Sequence, residues 1–331
     1  MTVPRQSPAH AARGLRLVLC VLAATWASPA AARPDVWAMV PANNDGAGFA
    51  ALFAHPDQWS QVRSRIETLG YADHWLATQF SDAQLRAWFP MIRAWHLKLG
   101  LEVGAIKVWG KTADRSFMLG RKNWDRFIAD GAVISAFAMD EPLRVTLRVL
   151  HESPDYAVEE TAKFVAMVRH AYPGIQIGDI EGYPGASDDE LLPFIDALQA
   201  RLRSMGVRGL DFFRLDLDWM WFRTRTARGA VGWRGVRHME EECHRRGIPF
   251  SLIYWAADYP SLERQGMATD QSWEEGVMYE GREYADVGGA PDQFVIQSWV
   301  NAPAHTLPED QAGTFMRSVL DFTGAFVEGR K

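Results

Sequence analysis

Three segments of this 331-residue chain set pairs of acids into otherwise apolar sequence: "ISAFAMDEPL" (134–143), "IGDIEGYP" (177–184) and "FFRLDLDW" (212–219). Each reads as a strand whose far end carries carboxylates: Asp140 and Glu141, then Asp179 and Glu181, then Asp216 and Asp218. Side chains alternate along a strand, so Asp179 and Glu181 share one side, and Arg214, Asp216 and Asp218 share one side. Asp140 and Glu141 are neighbours and would diverge in a regular strand. Pro142 ends that strand directly after them, and a turn there would bring Glu141 inward. Single acids at strand ends commonly cap the next helix or pair with arginine. Six on three consecutive strands are a different matter, because crowded like charges raise one another's pKa and cost stability. Such a cluster points to proton-transfer chemistry or to a cation.

The second signal is aromatic. Fourteen tryptophans are present, and Trp109, Trp219, Trp221, Trp255 and Trp299, with Tyr183 and Tyr254, fall at strand ends or in the loops beyond them. Flat aromatic faces stack on the C–H faces of sugar rings, while carboxylates take the hydroxyl hydrogen bonds. Paired carboxyls beside aromatic platforms suit glycosidic-bond cleavage, in which one acid protonates the leaving oxygen and a second carboxylate attacks or activates water. On this reading the catalytic candidates are Glu141, Glu181, Asp179 and Asp218. The substrate-binding candidates are the aromatic set with Asp140, Asp216, Arg214, Lys107, Gln297 and Asn301, and Lys107 would also hold a nearby carboxylate ionised.

The elements that must position these residues recur about every 30–40 residues. Strands are read at 36–43, 73–80, 101–110, 133–142, 175–184, 210–219, 249–256 and 294–300. Between them lie helices with start signals at Ser81-x-x-Gln84, Ser187-x-x-Glu190 and Ser153-Pro154, and stops at Gly100, Pro173-Gly174, Gly206 and Gly247. Eight strand–helix units fit one α/β chain folded as a single (β/α)8 barrel, the TIM barrel, whose active site lies at the C-terminal ends of its strands. A doubly wound open sheet is the rival, but "VPANNDGAGFA" lacks the glycine spacing of its phosphate loop.

"AMDEPL" at the end of the fourth strand resembles the TIM-barrel glycoside hydrolases whose fourth strand ends on an Asn-Glu-Pro motif. The resemblance implies that Glu141 is the general acid/base. Two departures stand beside it: Asp140 replaces the Asn, and "SLIYWAADY" offers only Asp258 where the family has a nucleophilic Glu at the end of strand seven. The partner carboxylate must then come from strand five or six, with Glu181 first and Asp179 and Asp218 following. A neighbouring strand implies a short separation and a retaining or substrate-assisted mechanism. "AMDEPL" with "IGDIEGYP" also resembles a group of secreted bacterial barrel proteins.

The net charge of −6 and the lack of a basic stripe exclude a nucleic-acid partner. Residues 1–32 carry three arginines, no acids, the short apolar run "LVLCVLAATWA" and a small-residue end, which reads as a signal peptide. Leu19 before Cys20 argues against lipidation. The expected mature chain, 33–331, is a secreted or periplasmic monomer with one cysteine, Cys243, no disulfide and no membrane span. "HMEEECHRR" (238–246) reads as a charged outer helix face, since its histidines are six apart. No nucleotide loop or serine-hydrolase motif stands in a suitable context, and no cofactor or metal is expected. Two alternatives stand beside the glycosidase: a divalent-metal barrel enzyme using Asp140, Asp179 and Asp216, and a carbohydrate-binding barrel without catalysis.

Overall fold

The structure is a computed structural model that describes residues 1–2, 34–225 and 232–328. The segment read as a signal peptide, beyond its first two residues, lies outside the described residues, and Cys20 with it. Residues 34–331 form one unit. In it, eight parallel strands close into a barrel in sequence order: β1 (Asp35–Met39), β2 (Thr68–Ala72), β3 (Lys98–Val103), β4 (Ile134–Asp140), β5 (Gln176–Tyr183), β6 (Phe212–Leu217), β7 (Phe250–Tyr254) and β8 (Gln293–Gln297). Helices follow each strand and pack outside. The single (β/α)8 barrel read from the sequence is the fold observed.

One strand was misplaced by the sequence reading. Residues 73–80 are helical over Asp73–Gln79, and the true second strand is the preceding "TLGYA". Apolar residues at Trp75, Leu76 and Phe80 fit either period in so short a run, and the five buried residues of β2 include a glycine that lowers their strand signal. The third strand likewise ends at Val103, and Lys107 and Gly110 instead pair across a small loop. The helix signals fare better. Ser81 and Gln84 form a reciprocal capping box, Ser153 accepts from the Tyr156 N–H with Pro154 following, and Glu190 accepts from the Ser187 N–H.

Register decides which side chains face the barrel axis, because paired residues of parallel strands share a face. The ring runs Asp140↔Ile180, Ile180↔Arg214, Gly182↔Asp216, Asp216↔Ile253, Ile253↔Val295, Val295↔Trp37 and Ala72↔Glu102. The interior is filled from below by Trp37, which needs glycine opposite it: a Cβ on Gly100 would lie 2.2 Å from the Trp37 ring. Arg214, expected to bond substrate, is part of this fill. It is fully buried, with its guanidinium 4.2 Å from the Trp37 ring centroid and 4.9 Å from that of Phe212. Its Nε donates to Ser251 Oγ (2.8 Å) and its Nη2 to Gln293 Oε1 (3.3 Å).

Among the described residues no helix is long and apolar enough to cross a membrane.

Candidate active site

Above Arg214, at the C-terminal ends of the strands, opens a cavity of about 340 Å³. Its walls carry five carboxylates, Glu102, Asp140, Glu141, Asp216 and Asp218, and five large aromatics, Trp75, Tyr183, Trp221, Trp255 and Trp299. Arg144, Gln297, Ile180, Gly182, Gly185 and Ile253 complete the lining.

The end of β4 shows how two adjacent acids reach one cavity. Glu141 takes a left-handed conformation (φ 49°, ψ 49°) directly before Pro142, which turns its side chain back toward the side Asp140 faces. A non-glycine residue there costs about 1–2 kcal/mol, and the proline adds to the restriction. The surroundings hold it. The Glu141 N–H donates to the Ile180 carbonyl (2.9 Å), and its own carbonyl accepts from Val145 N–H (2.9 Å). Arg144 Nη1 donates to Glu141 Oε2 (2.6 Å). Glycine is required beneath it, since a Cβ on Gly182 would lie 2.3 Å from Glu141 Oε1 and displace the carboxylate. Asp140 is ion-paired with Lys107.

Asp179 and Glu181 are not in the cavity. Ile180 and Gly182 face it, so the alternate residues of β5 face outward to the helix layer, both fully buried. Glu181, the first choice for the partner carboxylate, accepts hydrogen bonds from the backbone N–H of Leu143 (2.6 Å) and Arg144 (3.1 Å). It caps the short helix Pro142–Val145 that begins at Glu141. Both Asp179 oxygens are without hydrogen-bond partners among the described residues, and burial holds its carboxyl well above the ordinary range. The metal trio Asp140, Asp179 and Asp216 therefore does not converge, and no group of three or more His, Cys, Asp or Glu among the described residues is arranged to hold a metal ion.

Of the other expected binding residues, Tyr183, Trp221, Trp255, Gln297 and Trp299 line the cavity. Trp219 is buried off it, its indole donating to Glu280 (2.9 Å). Tyr254 points outward between Phe294 and Phe322. Trp109 lies exposed over Gly104, and Asn301 is exposed away from the cavity. Three lining residues with functional side chains escaped the sequence reading: Glu102, Trp75 and Arg144. Glu102 stands alone in apolar β3, where an inward acid is signal enough, but placing that strand at 101–110 put Glu102 at its start instead of its end.

The aromatic wall is tied to the barrel by hydrogen bonds. Trp255 donates its indole N–H to the Leu217 carbonyl (2.7 Å), and its backbone N–H goes to Glu280 (3.1 Å). Glu280, fully buried, also takes the Ala257 N–H (3.1 Å). Trp299, 45% exposed, packs against Trp255 with centroids 4.0 Å apart and ring planes tilted by 34°.

Electrostatics separate the carboxyls. Burial raises Asp216 well above the carboxylate range, and the charges of Glu141, Glu102, Asp140 and Asp218 push the same way. Burial raises Glu141 as well, but Arg144 opposes it. Burial, helped by Asp140, pushes Glu102 up to about 7, against the pull of its hydrogen bond from Gln297 Nε2 (3.0 Å), of Lys107 and of Arg214. Burial pushes Arg214 down to about 9. Burial also raises Asp218, while the N–H groups of Trp221 and Met220 lower it.

The Glu102 shift carries a prediction for stability. An unfolded Glu titrates near 4.3, so a folded value of about 7 means the native state binds the extra proton. The stabilisation is complete below about 4.3 and is lost as pH rises through about 7, by at most about 1.4 kcal/mol per pH unit. Urea midpoints measured from pH 5 to 8 should show wild type losing stability relative to Glu102→Gln. A constant difference across that window would show that Glu102 has no raised pKa.

No family model matches the sequence, and no curated protein does. Solved structures that resemble the chain include a GH10 endoxylanase retrieved from sugarcane soil metagenome, with TM-score 0.50 and 9% identity over 87% of this chain and 97% of that one. A glucosidase from Croceicoccus marinus aligns with TM-score 0.49 and 14% identity over 82% of this chain, which spans 63% of the glucosidase's length. QR15, an aldolase, aligns with TM-score 0.45 and 12% identity over 78% of this chain and 87% of that one. At such identities the likeness is one of fold.

Proposed function

We propose that the chain is a glycoside hydrolase that cleaves a poly- or oligosaccharide with a pair of carboxyls from β4 and β6. The observation that carries this is a single cavity walled by five carboxylates and five aromatic rings. Its lysine and arginine neighbours are already committed, Lys107 to Asp140 and Arg144 to Glu141. Anionic substrates such as phosphates meet repulsion there, whereas polyhydroxylated rings find stacking faces and hydrogen-bond acceptors.

Asp216 is the proton donor in this scheme. No described residue forms a salt bridge with it, its Oδ1 is buried without a hydrogen-bond partner among the described residues, and the charge that raises it most is Glu141. Glu141, held by Arg144, is the ionised member. Carboxyls whose surroundings hold one protonated and favour ionisation of the other can divide the acid and base roles of one reaction, and here Arg144 favours the ionised form of Glu141 while Asp216 has no such cation. Asp216 protonates the glycosidic oxygen as the C–O bond breaks, and Glu141 acts on the anomeric carbon directly or through a water molecule. This reverses the role that resemblance implied for Glu141 and replaces Glu181 with Asp216. Trp255 and Trp299 stack the sugar, and Glu102 takes its hydroxyls.

The test is release of reducing sugars by purified protein from a panel of bacterial and plant polysaccharides, with and without EDTA. Release unaffected by EDTA is the expected result. Release abolished by EDTA and restored by Mg²⁺ would move the reading to a metal-dependent enzyme. Binding without release across the panel would leave a carbohydrate-binding barrel.

A further inference from the structure

Resting on the reading of the cavity as a hydrolase site, we propose that its ligand is an internal stretch of a polysaccharide chain. The chain lies across the mouth of the barrel, from Trp109 on one side to Trp221 and Trp299 on the other, so that cleavage falls on internal bonds.

Exposure singles out these three rings. Among the described residues the exposed tryptophans are Trp109 (56%), Trp299 (45%) and Trp221 (37%), and the others are buried or half-buried. Each of the three stands beyond the C-terminal end of a strand, Trp109 after β3, Trp221 after β6 and Trp299 after β8. An indole left in water forgoes the gain of burial. One such ring calls for no account, but three around the rim of one cavity form a surface that faces a ligand.

Strand order decides the sides. In a closed barrel of eight, β3 stands opposite β7, and β6 and β8 flank β7. Trp255 follows β7, so Trp221, Trp255 and Trp299 make one side of the mouth and Trp109 the other. Glu141 and Asp216 line the cavity between them. A chain that touches both sides therefore passes over the two carboxyls with sugar rings on either side of them.

Trp109 is built as a platform. Lys107 and Gly110 exchange both backbone hydrogen bonds (3.0 Å each), which leaves Val108 and Trp109 as the tip of a tight turn. The buried Ser116 hydroxyl donates to the Gly110 carbonyl (2.6 Å). The six-membered ring of Trp109 rests on Gly104, where a Cβ would lie 2.5 Å from it. Lys107 ties the turn to the cavity by pairing with Asp140. A ring positioned beforehand loses little freedom on binding. Because Trp109 is outside the cavity lining, the sugar it meets lies beyond those held inside.

Calorimetric titration with cello-, xylo-, manno-, chito- and maltooligosaccharides, from disaccharide to hexasaccharide, tests this. In at least one series wild-type affinity should rise with length, and Trp109→Ala and Trp299→Ala should each weaken hexasaccharide binding by about three- to tenfold. The Trp109→Ala loss should be smaller for the disaccharide, and Trp109→Phe should restore most of it. Affinity that rises with length in no series, no binding included, overturns the proposal. So does a Trp109→Ala loss that is absent or equal at every length. Cleavage separates the two readings. On a soluble polymer of the series that binds, wild type should lower viscosity early, before many reducing ends appear. Release of mono- or disaccharides with viscosity unchanged overturns the internal-chain proposal and leaves the hydrolase. Length-dependent binding that needs Trp109, without cleavage, upholds the path of the chain and overturns the hydrolase.

Discussion

Asp216→Asn should lower kcat/KM on the cleaved polysaccharide by about a thousandfold, within the range of about 10²–10⁴ that a positioned general acid supplies. The amide keeps the shape of the carboxyl and removes the proton it donates. Because the folded pKa of Asp216 lies well above the ordinary value, activity in wild type should persist at neutral pH and fall as pH rises through that pKa. In the variant this alkaline limb should vanish from whatever activity remains. Stability moves the other way. The native state loses stability as pH rises and an unpaired carboxylate is forced to ionise, so Asp216→Asn should unfold at a higher temperature than wild type at pH 8. Glu141→Gln should cost a comparable factor in activity, since it removes the ionised partner. An Asp216→Asn enzyme with full activity and an unchanged pH profile would show that the proton comes from elsewhere, and Glu102 would be the next residue to replace.

The second large effect is on stability. Glu181→Ala should lower the free energy of unfolding by about 2–6 kcal/mol, because it strips two N–H groups at the start of Pro142–Val145 of their acceptor, at about 1–3 kcal/mol each. The fully buried side chain also leaves a void. Activity should fall with it through Glu141, whose left-handed turn is the residue that opens that helix. Had Glu181 been the nucleophile, Glu181→Gln would abolish turnover at little cost in stability. The geometry predicts the reverse ranking: Glu181→Gln keeps one acceptor, loses part of the stability and retains measurable turnover. Urea denaturation and initial rates on the same preparations distinguish the two.

The strands and helices of this barrel were largely legible because a buried parallel strand is nearly all apolar and a helix start announces itself, as at Ser81 and Ser153. "TLGYA" and "DHWLATQF" were confused where both signals shrink to a few residues. The acidic ends of β4 and β6 were also legible, since carboxylates are costly in apolar strands. Glu102 and Trp75 were not, because β3 is expected a few residues too late and the helix that carries Trp75 reads as a strand.

The sequence alone determined that paired acids lie two apart on "IGDIEGYP" and on "FFRLDLDW" and that each pair shares a side. It could not say which side. Only the closed sheet decided that, by pairing Ile180 with Arg214 and Gly182 with Asp216, so that Asp216 faces the cavity while Glu181 faces the helices. A period of two sets the relation of residues within a strand, but the sense of that alternation is set by register with the strands on either side. The same dependence made Glu141 a cavity residue. Whether "MDEP" turns its second acid in or out rests on a left-handed turn held locally by Arg144 and, from the next strand, by the Ile180 carbonyl and Glu181, contacts made only when β4 and β5 lie side by side.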